Sequence, residues 1–355
     1  MTQGDYHQRL ASTLIDPGAS ITEAVQRLDV AGTGALLLAG ADRRLRGLLT
    51  DGDVRRALLR GVPFDKPCST IATAEPVCAE EGAAAAETLR LMNEREVNHL
   101  PVVDADGRLT GLLLRRDLVS DDRVAVSAVI MAGGFGTRLR PLTDQVPKPM
   151  LPVGDRPLLE RTIGRLRDAG IRRVNITTHH LADQISDHFG DGESMGVEMR
   201  YVSEEEPLGT CGGLRLVDEV TEPLLVINGD ILTGVDFGDL VGFHRKVKAD
   251  ATVCVRKYDV QVPYGVVEVE GSWLKGVREK PSVGFFVNAG IYLLEPSVQG
   301  YIPDGQRFDM TDLIGKLLAD GRKVATFPIV EYWLDVGQPA DYAQAQRDVE
   351  NARIK

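Results

Sequence analysis

The sequence has no long apolar run and no excess of positive charge. No hydrophobic stretch approaches the roughly 20 residues of a membrane-spanning helix, and the N-terminal MTQGDYHQRL lacks the apolar core of a secretion signal. The net charge of −11 argues against a nucleic-acid partner, because domains that hold a phosphate backbone usually present a basic face. We therefore expect a cytoplasmic protein with neither membrane nor nucleic acid as a partner.

Cysteine and histidine are too sparse to form a zinc site. The four cysteines show no CxxC spacing and no grouping with histidine: Cys68, Cys78, Cys211 and Cys254. We expect reduced thiols that serve packing. His179 and His180 follow a predicted strand without a partner motif, so we expect them to be polar surface groups.

The first third of the chain is a repeat. Shifting the sequence by 64 positions aligns ADRRLRGLLTDGD (41–53) with ADGRLTGLLLRRD (105–117) without a gap. A helical apolar pattern precedes each copy, and an aspartate that can cap a following helix ends each copy (DVRRALLRG and DLVS). The predicted unit is helix, strand, turn, strand, helix, used twice.

Length supports a division into two domains, because 355 residues exceed what one hydrophobic core usually organises. We predict a first domain over residues 1–122, with repeats at about 8–66 and 67–122. A second domain follows over residues 123–355. The short polar stretch at 121–127 is the predicted hinge.

The repeat resembles a tandem pair of CBS domains, an α+β module whose G-hydrophobic-hydrophobic-T-x-x-D turn binds adenosine nucleotides. The first copy keeps Thr50 and Asp53, and the second keeps Asp117 but has Leu114 in place of the hydroxyl. The resemblance implies an adenosine or guanosine nucleotide as regulatory ligand, while a helix cap is the alternative role for Asp53. CBS pairs often associate, so we also expect a homo-oligomer.

A glycine turn, VIMAGGFGTRL, opens the second domain after a predicted strand. A P-loop would need Gly-Lys followed by Ser or Thr, and a dinucleotide fingerprint would need a third glycine; both are missing. Downstream, Arg138 and Lys148 supply two cations, and Pro147 and Pro149 fix the backbone around the lysine. Two aimed cations beside a glycine turn suit chemistry that builds negative charge on phosphorus.

The string GGFGTRLRPLT with the following PKP resembles the signature of the sugar-1-phosphate nucleotidyltransferases. The alternation of strands and helices after it fits their Rossmann-like α/β fold, with a mixed, mainly parallel sheet. The resemblance implies catalytic roles for Arg138 and Lys148. It implies nucleotide contacts in the glycine turn, at Ala132, Gly133, Gly134, Gly136 and Thr137.

Two aspartates follow at predicted strand ends, where ligands of such sheets gather. Asp230 ends TEPLLVINGD, and Asp335 lies in YWLDVG. In the resembled family such a pair holds Mg²⁺. The implied reaction joins a nucleoside triphosphate to a sugar 1-phosphate and releases pyrophosphate.

Specificity is the least determined part of the sequence. The resemblance places the sugar phosphate near Tyr264, Gly265, Glu279, Lys280 and Asn288. The segment EEEPLGTCGGL resembles guanylyltransferases for mannose 1-phosphate or a heptose phosphate, so Leu208, Gly209 and Thr210 are expected to read the base of GTP. UTP, dTTP or CTP, a glucosamine 1-phosphate acceptor, and a non-catalytic nucleotide-sugar sensor stay open as alternatives.

Overall fold

The computed structural model describes residues 5–118, 124–218 and 220–354. The chain divides into two compact units, Met1–Asp122 and Arg123–Lys355, which are described separately below. The predicted hinge begins outside the described residues, at 121–123, and the predicted boundary after residue 122 falls there too. No helix in the described ranges has the length and apolarity to cross a membrane.

Unit 1 contains two similar three-stranded sheets. Its helices are α1 (Asp5–Gln8), α2 (Leu10–Thr13), α3 (Ile21–Ala31), α4 (Asp51–Leu59) and α5 (Ala85–Arg95). Its strands are β1 (Leu14–Ile15), β2 (Ala35–Ala39), β3 (Leu45–Thr50), β4 (Ala79–Glu80), β5 (His99–Val103) and β6 (Leu109–Leu114). β2 pairs parallel with β1 and antiparallel with β3, and β5 pairs in the same way with β4 and β6. The repeat seen in the sequence is therefore a structural repeat.

The two copies differ after their last strand. Thr50 accepts the Asp53 N–H at 3.3 Å, which starts α4 with a capping box. Leu114 has no side-chain acceptor, and Asp117 closes only a single 3₁₀ turn, Arg115–Asp117. Of the helix predicted in DLVS, the structure describes only Asp117 and Leu118, at the end of this 3₁₀ turn. Residues 119 and 120 lie outside the described residues.

The N-terminal segment packs against the second repeat. Arg9 donates to both carboxylate oxygens of Asp117, with Nη2 at 3.0 Å from Oδ1. The His7 ring lies 2.7 Å from the Thr110 carbonyl. A Cβ added to Gly111 would stand 2.7 Å from the carbonyl oxygen of Tyr6, so glycine is required for this close approach.

Unit 2 is a layered α/β structure. Its helices are α6 (Leu158–Asp168), α7 (Ala182–Phe189), α8 (Gly209–Gly212), α9 (Phe237–Val247), α10 (Met310–Ala319) and α11 (Pro339–Glu350). Its strands are β7 (Ser127–Met131), β8 (Pro152–Val153), β9 (Arg156–Pro157), β10 (Arg173–Thr178), β11 (Glu198–Ser203), β12 (Leu224–Asn228), β13 (Ile231–Thr233), β14 (Ala251–Gln261), β15 (Val266–Glu270), β16 (Trp273–Arg278), β17 (Ser282–Leu294), β18 (Val324–Ile329) and β19 (Trp333–Asp335).

The central sheet of unit 2 has seven strands in the order β11-β10-β7-β12-β17-β14-β18. Four neighbouring pairs run parallel, and only the two pairs that involve β17 run antiparallel. The prediction of a mixed, mainly parallel sheet is confirmed. Apolar residues line both faces, as expected for a sheet covered by helices on both sides.

The parallel strands bring distant parts of the sequence to one edge. The glycine turn follows β7, His179 follows β10, Glu204 follows β11, and Asp230 comes two residues after β12. Carboxyl ends of parallel strands meet at the same edge of a sheet. That edge holds the candidate site.

One part of unit 2 extends away from this core. β14 and β17 pair beyond the sheet, from Lys257 opposite Phe286 to Gln261 opposite Ser282. Between them β15 and β16 form a two-stranded hairpin. We call residues 257–286 the arm; 26 of its 30 residues are exposed and none is buried.

Candidate functional site

The loop after β7 is fixed at both ends and open in the middle. Gly136 has a φ of +63°, and a Cβ there would approach Thr143 to 3.0 Å, so glycine is required. Thr143 donates to the Gly136 carbonyl at 2.8 Å, and the Ala132 N–H donates to β10 at 3.0 Å. Gly134 has no atom within 4 Å of an added Cβ, and Thr137 is exposed. The open middle leaves backbone N–H groups accessible to a phosphate.

Lys148 forms an ion pair with Asp230. Its Nζ lies 2.5 Å from Oδ2 of the carboxylate, and the two side chains are 12% and 21% exposed. The flanking Pro147 and Pro149 are buried, which holds the lysine backbone in place as the sequence predicted. A cation is thereby held at the sheet edge, next to the glycine turn.

Asp335 lies beside Asp230 because two short strands pair. β13 and β19 run antiparallel with Ile231 opposite Asp335, and the Val336 N–H donates to the Asp230 carbonyl at 2.9 Å. Burial and the neighbouring Asp230 carboxylate raise the pKa of Asp335, although much of its side-chain surface still faces solvent. The two predicted acidic residues are therefore close enough to repel each other.

Arg138 approaches the same place from the glycine turn. Its Nη1 lies 3.6 Å from the position that a Cβ on Gly337 would take, and the Asp335 Oδ1 lies 3.3 Å from that position. The charges of Lys148 and Arg138 both lower the pKa of Asp335, and they offset part of the increase caused by burial and by Asp230. Both predicted cations and both predicted aspartates thus belong to one cluster.

The donor atoms of this cluster suit a hard divalent cation. Within the part of the chain that the structure describes, the buried Oδ1 of Asp230 has no hydrogen-bond partner, and the Asp335 carboxylate stands next to it. Among the described residues, no group of three or more His, Cys, Asp or Glu side chains could enclose a metal ion. Mg²⁺ commonly binds through one or two carboxylates plus substrate phosphates and water, so these two aspartates fit it.

The side chains of Glu204 and Asp309 hold the predicted base loop in place. The Leu208 N–H donates to Oε2 of Glu204 at 3.1 Å. Oδ1 of Asp309 accepts from both the N–H and the hydroxyl of Thr210, at 2.9 and 3.2 Å. Gly209 has a φ of +80°, and a Cβ there would approach the Asp309 Oδ1 to 2.6 Å. Hydrogen bonds from Glu204 and Asp309 thus hold the loop, and the Thr210 side chain is occupied by internal contacts.

Glu204 is a site residue that the sequence reasoning missed. Its side chain is only 7% exposed. Its Oε1 lies 3.6 and 2.6 Å from Cβ positions on Gly133 and Gly213, so the carboxylate stands between the glycine turn and α8. The only signal in the sequence was its place at the start of the segment EEEPLGTCGGL.

His179 is not the free surface group that we expected. Its Nδ1 lies 2.7 Å from the Glu204 carbonyl, with the ring half-buried. The Phe135 ring meets the rings of His179 and His180 at centroid distances of 5.3 and 5.6 Å. The two histidines thus flank the glycine turn, where an exposed aromatic gives them a packing partner.

The predicted sugar-phosphate residues lie mostly on the arm. Tyr264 is 75% exposed, and Glu279 and Lys280 are exposed as well. A Cβ on Gly265 would stand 3.1 Å from Oε2 of Glu279. In the described ranges we find no hydrogen bond or ion pair from these side chains to the Lys148 cluster.

Asn288, the fifth predicted sugar contact, lies at the foot of the arm in β17. Its Oδ1 accepts the Gly290 N–H at 3.0 Å. This is a local contact that satisfies the side-chain oxygen, and it leaves the role of Asn288 toward a sugar as a prediction.

The candidate ligand groups of unit 1 already have partners. Oδ2 of Asp53 accepts from the N–H and hydroxyl of Thr50 at 2.9 and 2.7 Å, and its Oδ1 accepts from Arg56 at 2.5 Å. Asp117 is held by both guanidinium nitrogens of Arg9, and its side chain is 8% exposed. The cap proposed as the alternative for Asp53 is present in the structure.

The four cysteines are free thiols, as expected. Cys68, Cys211 and Cys254 are buried, and Cys78 is partly buried. Burial raises the pKa of Cys211 to about 12, so its thiol stays protonated and serves packing beside the base loop.

The raised pKa of Asp335 predicts a pH-dependent stability effect. An ionised carboxylate in this position destabilises the folded state, and the effect disappears once the pH falls below its usual pKa. Without divalent cations, Asp335→Asn should therefore raise Tm at neutral pH by about 1–3 °C and leave it unchanged near pH 3. Thermal unfolding checks this, with Asp304→Asn, an exposed aspartate of the same unit, as control.

The same measurement with MgCl₂ tests the cation fit. Magnesium should raise the Tm of the wild-type protein and of Asp304→Asn but not that of Asp335→Asn. A wild-type Tm that does not respond to MgCl₂ in the presence or absence of nucleotide would contradict the assignment.

Comparison with known proteins places both units in families. The nucleotidyl transferase family matches residues 127–352, and CBS domains match residues 12–60 and 68–122. The crystal structure of HddC from Yersinia pseudotuberculosis superposes with a TM-score of 0.50 at 25% identity, covering 64% of this chain and 100% of that one.

Curated relatives agree with this assignment. Mannose-1-phosphate guanylyltransferase of Mycobacterium tuberculosis (strain ATCC 25618 / H37Rv) is 36% identical over 233 residues, covering 63% of this chain and 64% of that protein. UTP–glucose-1-phosphate uridylyltransferase of Synechocystis sp. (strain ATCC 27184 / PCC 6803 / Kazusa) is 34% identical over 251 residues, covering 65% of each. The chain thus spans less than two thirds of the length of these relatives. It belongs to the nucleotidyl transferase family, with a tandem pair of CBS domains ahead of the nucleotidyl transferase domain.

Proposed function

We propose that the protein transfers a nucleotidyl group from a nucleoside triphosphate to a sugar 1-phosphate, giving a nucleotide sugar and pyrophosphate. The observation that carries the proposal is the cluster at the sheet edge. Lys148, Asp230, Asp335 and Arg138 converge there from four separate segments, beside an open glycine turn. The two positive side chains suit two phosphorylated substrates, and the two negative side chains suit a divalent cation.

The reaction needs no basic residue and no enzyme nucleophile. A phosphate oxygen of the sugar 1-phosphate forms a bond to the α-phosphorus, while the bond from the α-phosphorus to the bridging oxygen breaks and pyrophosphate leaves with that electron pair. The attacking phosphate is already an anion, so no proton has to be removed. The protein accelerates such a step by holding the reactants in line and by offsetting charge.

Each cluster residue has one role in this proposal. Lys148, held by Asp230 at 2.5 Å, meets the oxygens of the α-phosphoryl group. Arg138 lies exposed on the glycine turn and contacts the departing pyrophosphate. Mg²⁺ held by Asp230 and Asp335 would neutralise phosphate charge. The N–H groups around Gly134 bind the triphosphate.

Removing the Lys148 side chain should abolish most of the activity. We expect Lys148→Ala to fold normally and to lower kcat about 100- to 1,000-fold, because one charge donor to the developing transition state is lost. Pyrophosphate release, measured over a grid of nucleoside triphosphates and sugar 1-phosphates, gives the rates. Lys246→Ala, which removes an exposed lysine from α9, is the matched control and should keep the wild-type rate.

The assay also separates the proposal from a non-catalytic sensor. A sensor would bind nucleotide sugar and release no pyrophosphate with any substrate pair. A Lys148→Ala protein with near wild-type turnover would instead show that the lysine has no part in the reaction.

For the base we infer guanine, and Glu204 is the observation that favours it. One oxygen of this buried carboxylate, Oε2, holds the Leu208 N–H, and the other, Oε1, lies between the glycine turn and Gly213. Guanine offers two adjacent donors on its Watson–Crick edge, N1–H and N2–H₂, which an acceptor-only group can bind. On the same edge, uracil and thymine offer only one hydrogen-bond donor, which lies between two acceptors. The guanylyltransferase from Mycobacterium tuberculosis supports the same choice.

Exchanging this carboxylate for an amide should change the base preference. In Glu204→Gln the side-chain oxygen can still accept the Leu208 N–H, while the amide N–H₂ meets the donors of guanine. We expect kcat/KM for GTP to fall about 10- to 100-fold and the ratio of UTP to GTP to rise. Glu205→Gln, a change at the exposed neighbour, should leave both values unaltered. An unchanged ratio in Glu204→Gln would exclude a base contact.

The acceptor is a hexose 1-phosphate in this proposal, with mannose 1-phosphate, glucosamine 1-phosphate and a heptose phosphate as the compounds to compare. The named relatives act on mannose and glucose 1-phosphates by their descriptions. Tyr264, Gly265, Glu279, Lys280 and Asn288 stay the predicted sugar contacts. The substrate grid distinguishes the acceptors.

For the CBS pair we propose a single nucleotide site, in the first repeat. Thr50 lies at the N-terminus of α4, where backbone N–H groups favour an anion. In the second repeat, Arg9 donates to both carboxylate oxygens of Asp117, so this side chain is not available to a nucleotide. A ribose at the first repeat would compete with Thr50 and Arg56 for Asp53.

Calorimetric titration of the full-length Lys148→Ala protein with AMP tests this stoichiometry. We expect one site per chain, and Asp53→Ala in the same background should remove the heat. Two sites, or heat that persists without Asp53, would contradict the assignment to the first repeat.

A further inference from the structure

The strand that carries Asp335 lies outside the central sheet. Three residues separate β19 from β18, the edge strand of that sheet, and β19 pairs with β13, which starts directly after Asp230. Both β13 and β19 have three residues. A two-stranded pair is marginally stable at best, and one this short makes few hydrogen bonds. The position of the Asp335 carboxylate therefore depends on the segment that leads into β19, residues 329–332, which we call the link.

Arg256 of β14 contacts the first part of the link. Its Nη1 donates to the carbonyl oxygens of Ile329 and Glu331, at 2.9 and 2.8 Å. One guanidinium nitrogen of this kind carries two hydrogens and can serve both oxygens. β14 and β18 pair in parallel up to Arg256 opposite Ile329, so the side chain stands where the chain leaves the sheet. It extends the contact of β14 with the chain by two residues beyond the last pair.

β13 contacts the second part of the link. The Tyr332 carbonyl oxygen accepts from the Gly234 N–H at 2.7 Å and from the Thr233 hydroxyl at 3.1 Å. One residue further along, the Trp333 Nε1–H donates to the Ala289 carbonyl at 2.9 Å, which ties the start of β19 to β17. Together with the arginine, these bonds hold the link at both ends.

The burial of Arg256 costs free energy. Burial lowers the pKa of its guanidinium, and the neighbouring Glu331 carboxylate offsets part of that decrease. An apolar side chain of similar volume is often as good for stability as a buried charge, because it need not be taken out of water. What the arginine adds is the pair of contacts with backbone carbonyls, which an apolar side chain cannot make.

Arg256 is not itself part of the charged cluster. In the ranges that the structure describes, it forms no hydrogen bond or ion pair with Lys148, Asp230, Asp335 or Arg138. The oxygens that it does contact lie four and six residues before Asp335. Its effect on the site therefore passes through the backbone of the link and of β19.

We propose that Arg256 is a positioning residue for the carboxylate of Asp335. By holding the link, it fixes β19 against β13 and keeps the Asp335 carboxylate beside Asp230. Mg²⁺ demands near-ideal geometry from its ligands, so a small displacement of one carboxylate weakens binding. The proposal rests on the cation site of the proposed function, and it does not depend on which base or sugar the protein uses.

Removing the guanidinium should weaken cation binding although both carboxylates remain. Arg256→Ala leaves two carbonyls without their donor and releases the link, so we expect the affinity for Mn²⁺ to fall about 10- to 100-fold. Arg256→Lys keeps the charge on a flexible stem and should restore part of the affinity. Arg245→Ala is the matched control. Its guanidinium also donates to a backbone carbonyl, that of Ala125 at 3.2 Å, and its removal should leave the affinity at the wild-type value.

The experiment is a titration of the full-length protein with MnCl₂, in which electron paramagnetic resonance measures free Mn²⁺. It is run without nucleotide and with the α,β-methylene analogues of GTP and UTP, which cannot release pyrophosphate. We expect equal dissociation constants for the wild-type protein and Arg245→Ala, weaker binding by Arg256→Ala and an intermediate value for Arg256→Lys. Asp335→Asn gives the value for a lost ligand. Thermal unfolding establishes that each variant is folded, and Arg256→Lys carries the test should Arg256→Ala fail to fold.

The dependence of the rate on MgCl₂ separates positioning from a general loss of structure. In Arg256→Ala the Asp335 carboxylate is still present, so saturating MgCl₂ should restore most of kcat for pyrophosphate release. In Asp335→Asn a ligand is missing, and kcat should stay low at any MgCl₂ concentration. A merely structural role would instead lower the amount of active protein and leave the MgCl₂ concentration for the half-maximal rate unchanged.

The positioning role is wrong if Arg256→Ala binds Mn²⁺ as tightly as the wild-type protein, or if Arg245→Ala loses as much affinity. It is also wrong if the wild-type protein binds no Mn²⁺ with or without nucleotide, because there is then no cation for Asp335 to hold. Failure of the proposed function gives a different result. Wild-type protein and Arg256→Ala would differ in Mn²⁺ affinity as expected, which supports the positioning role, yet no pair of substrates would release pyrophosphate.

Discussion

The placing of two carboxylates side by side is the constraint on which the site depends. β13 and β19 pair so that Asp230 and Asp335 become neighbours, and burial together with the repulsion from Asp230 raises the pKa of Asp335. Lys148 offsets part of that charge through its contact with Asp230. The site is thus arranged for a positive partner and is less stable without one, a common property of sites that bind cations together with anionic substrates.

Much of this arrangement is encoded locally and could be predicted. The glycine turn needs a left-handed residue at Gly136, the prolines beside Lys148 fix its backbone, and a strand followed by an aspartate marks a sheet edge. Each of these signals lies within a few residues. That each aspartate lies at a strand end was predictable, whereas Asp230 and Asp335, 105 positions apart, meet through the pairing of β13 with β19.

The contacts that the sequence did not reveal are those that depend on packing. Glu204 is important because its carboxylate is buried under Leu208, and Asp309 because a loop from elsewhere brings it to Thr210. The sequence pattern around Glu204 or Asp309 does not differ from the pattern around an acidic residue on the surface. Unit 1 shows the reverse difficulty, since T-x-x-D is both a ligand motif and a capping box, and only the structure shows the contacts that Asp53 makes.

The register between β14 and β17 is irregular just before the arm leaves the central sheet, because the step from Val253 to Val255 in β14 lies opposite four residues' advance in β17, from Tyr292 to Asn288. A bulge adds twist to a strand locally, so it sets the direction in which everything beyond it extends. The extra residues belong to β17 (Ser282–Leu294), where Gly290 has a φ of +69°. The twist at this point therefore determines the direction of the arm. One residue deleted from β17 here would turn every apolar side chain on the arm part of that strand to the opposite face.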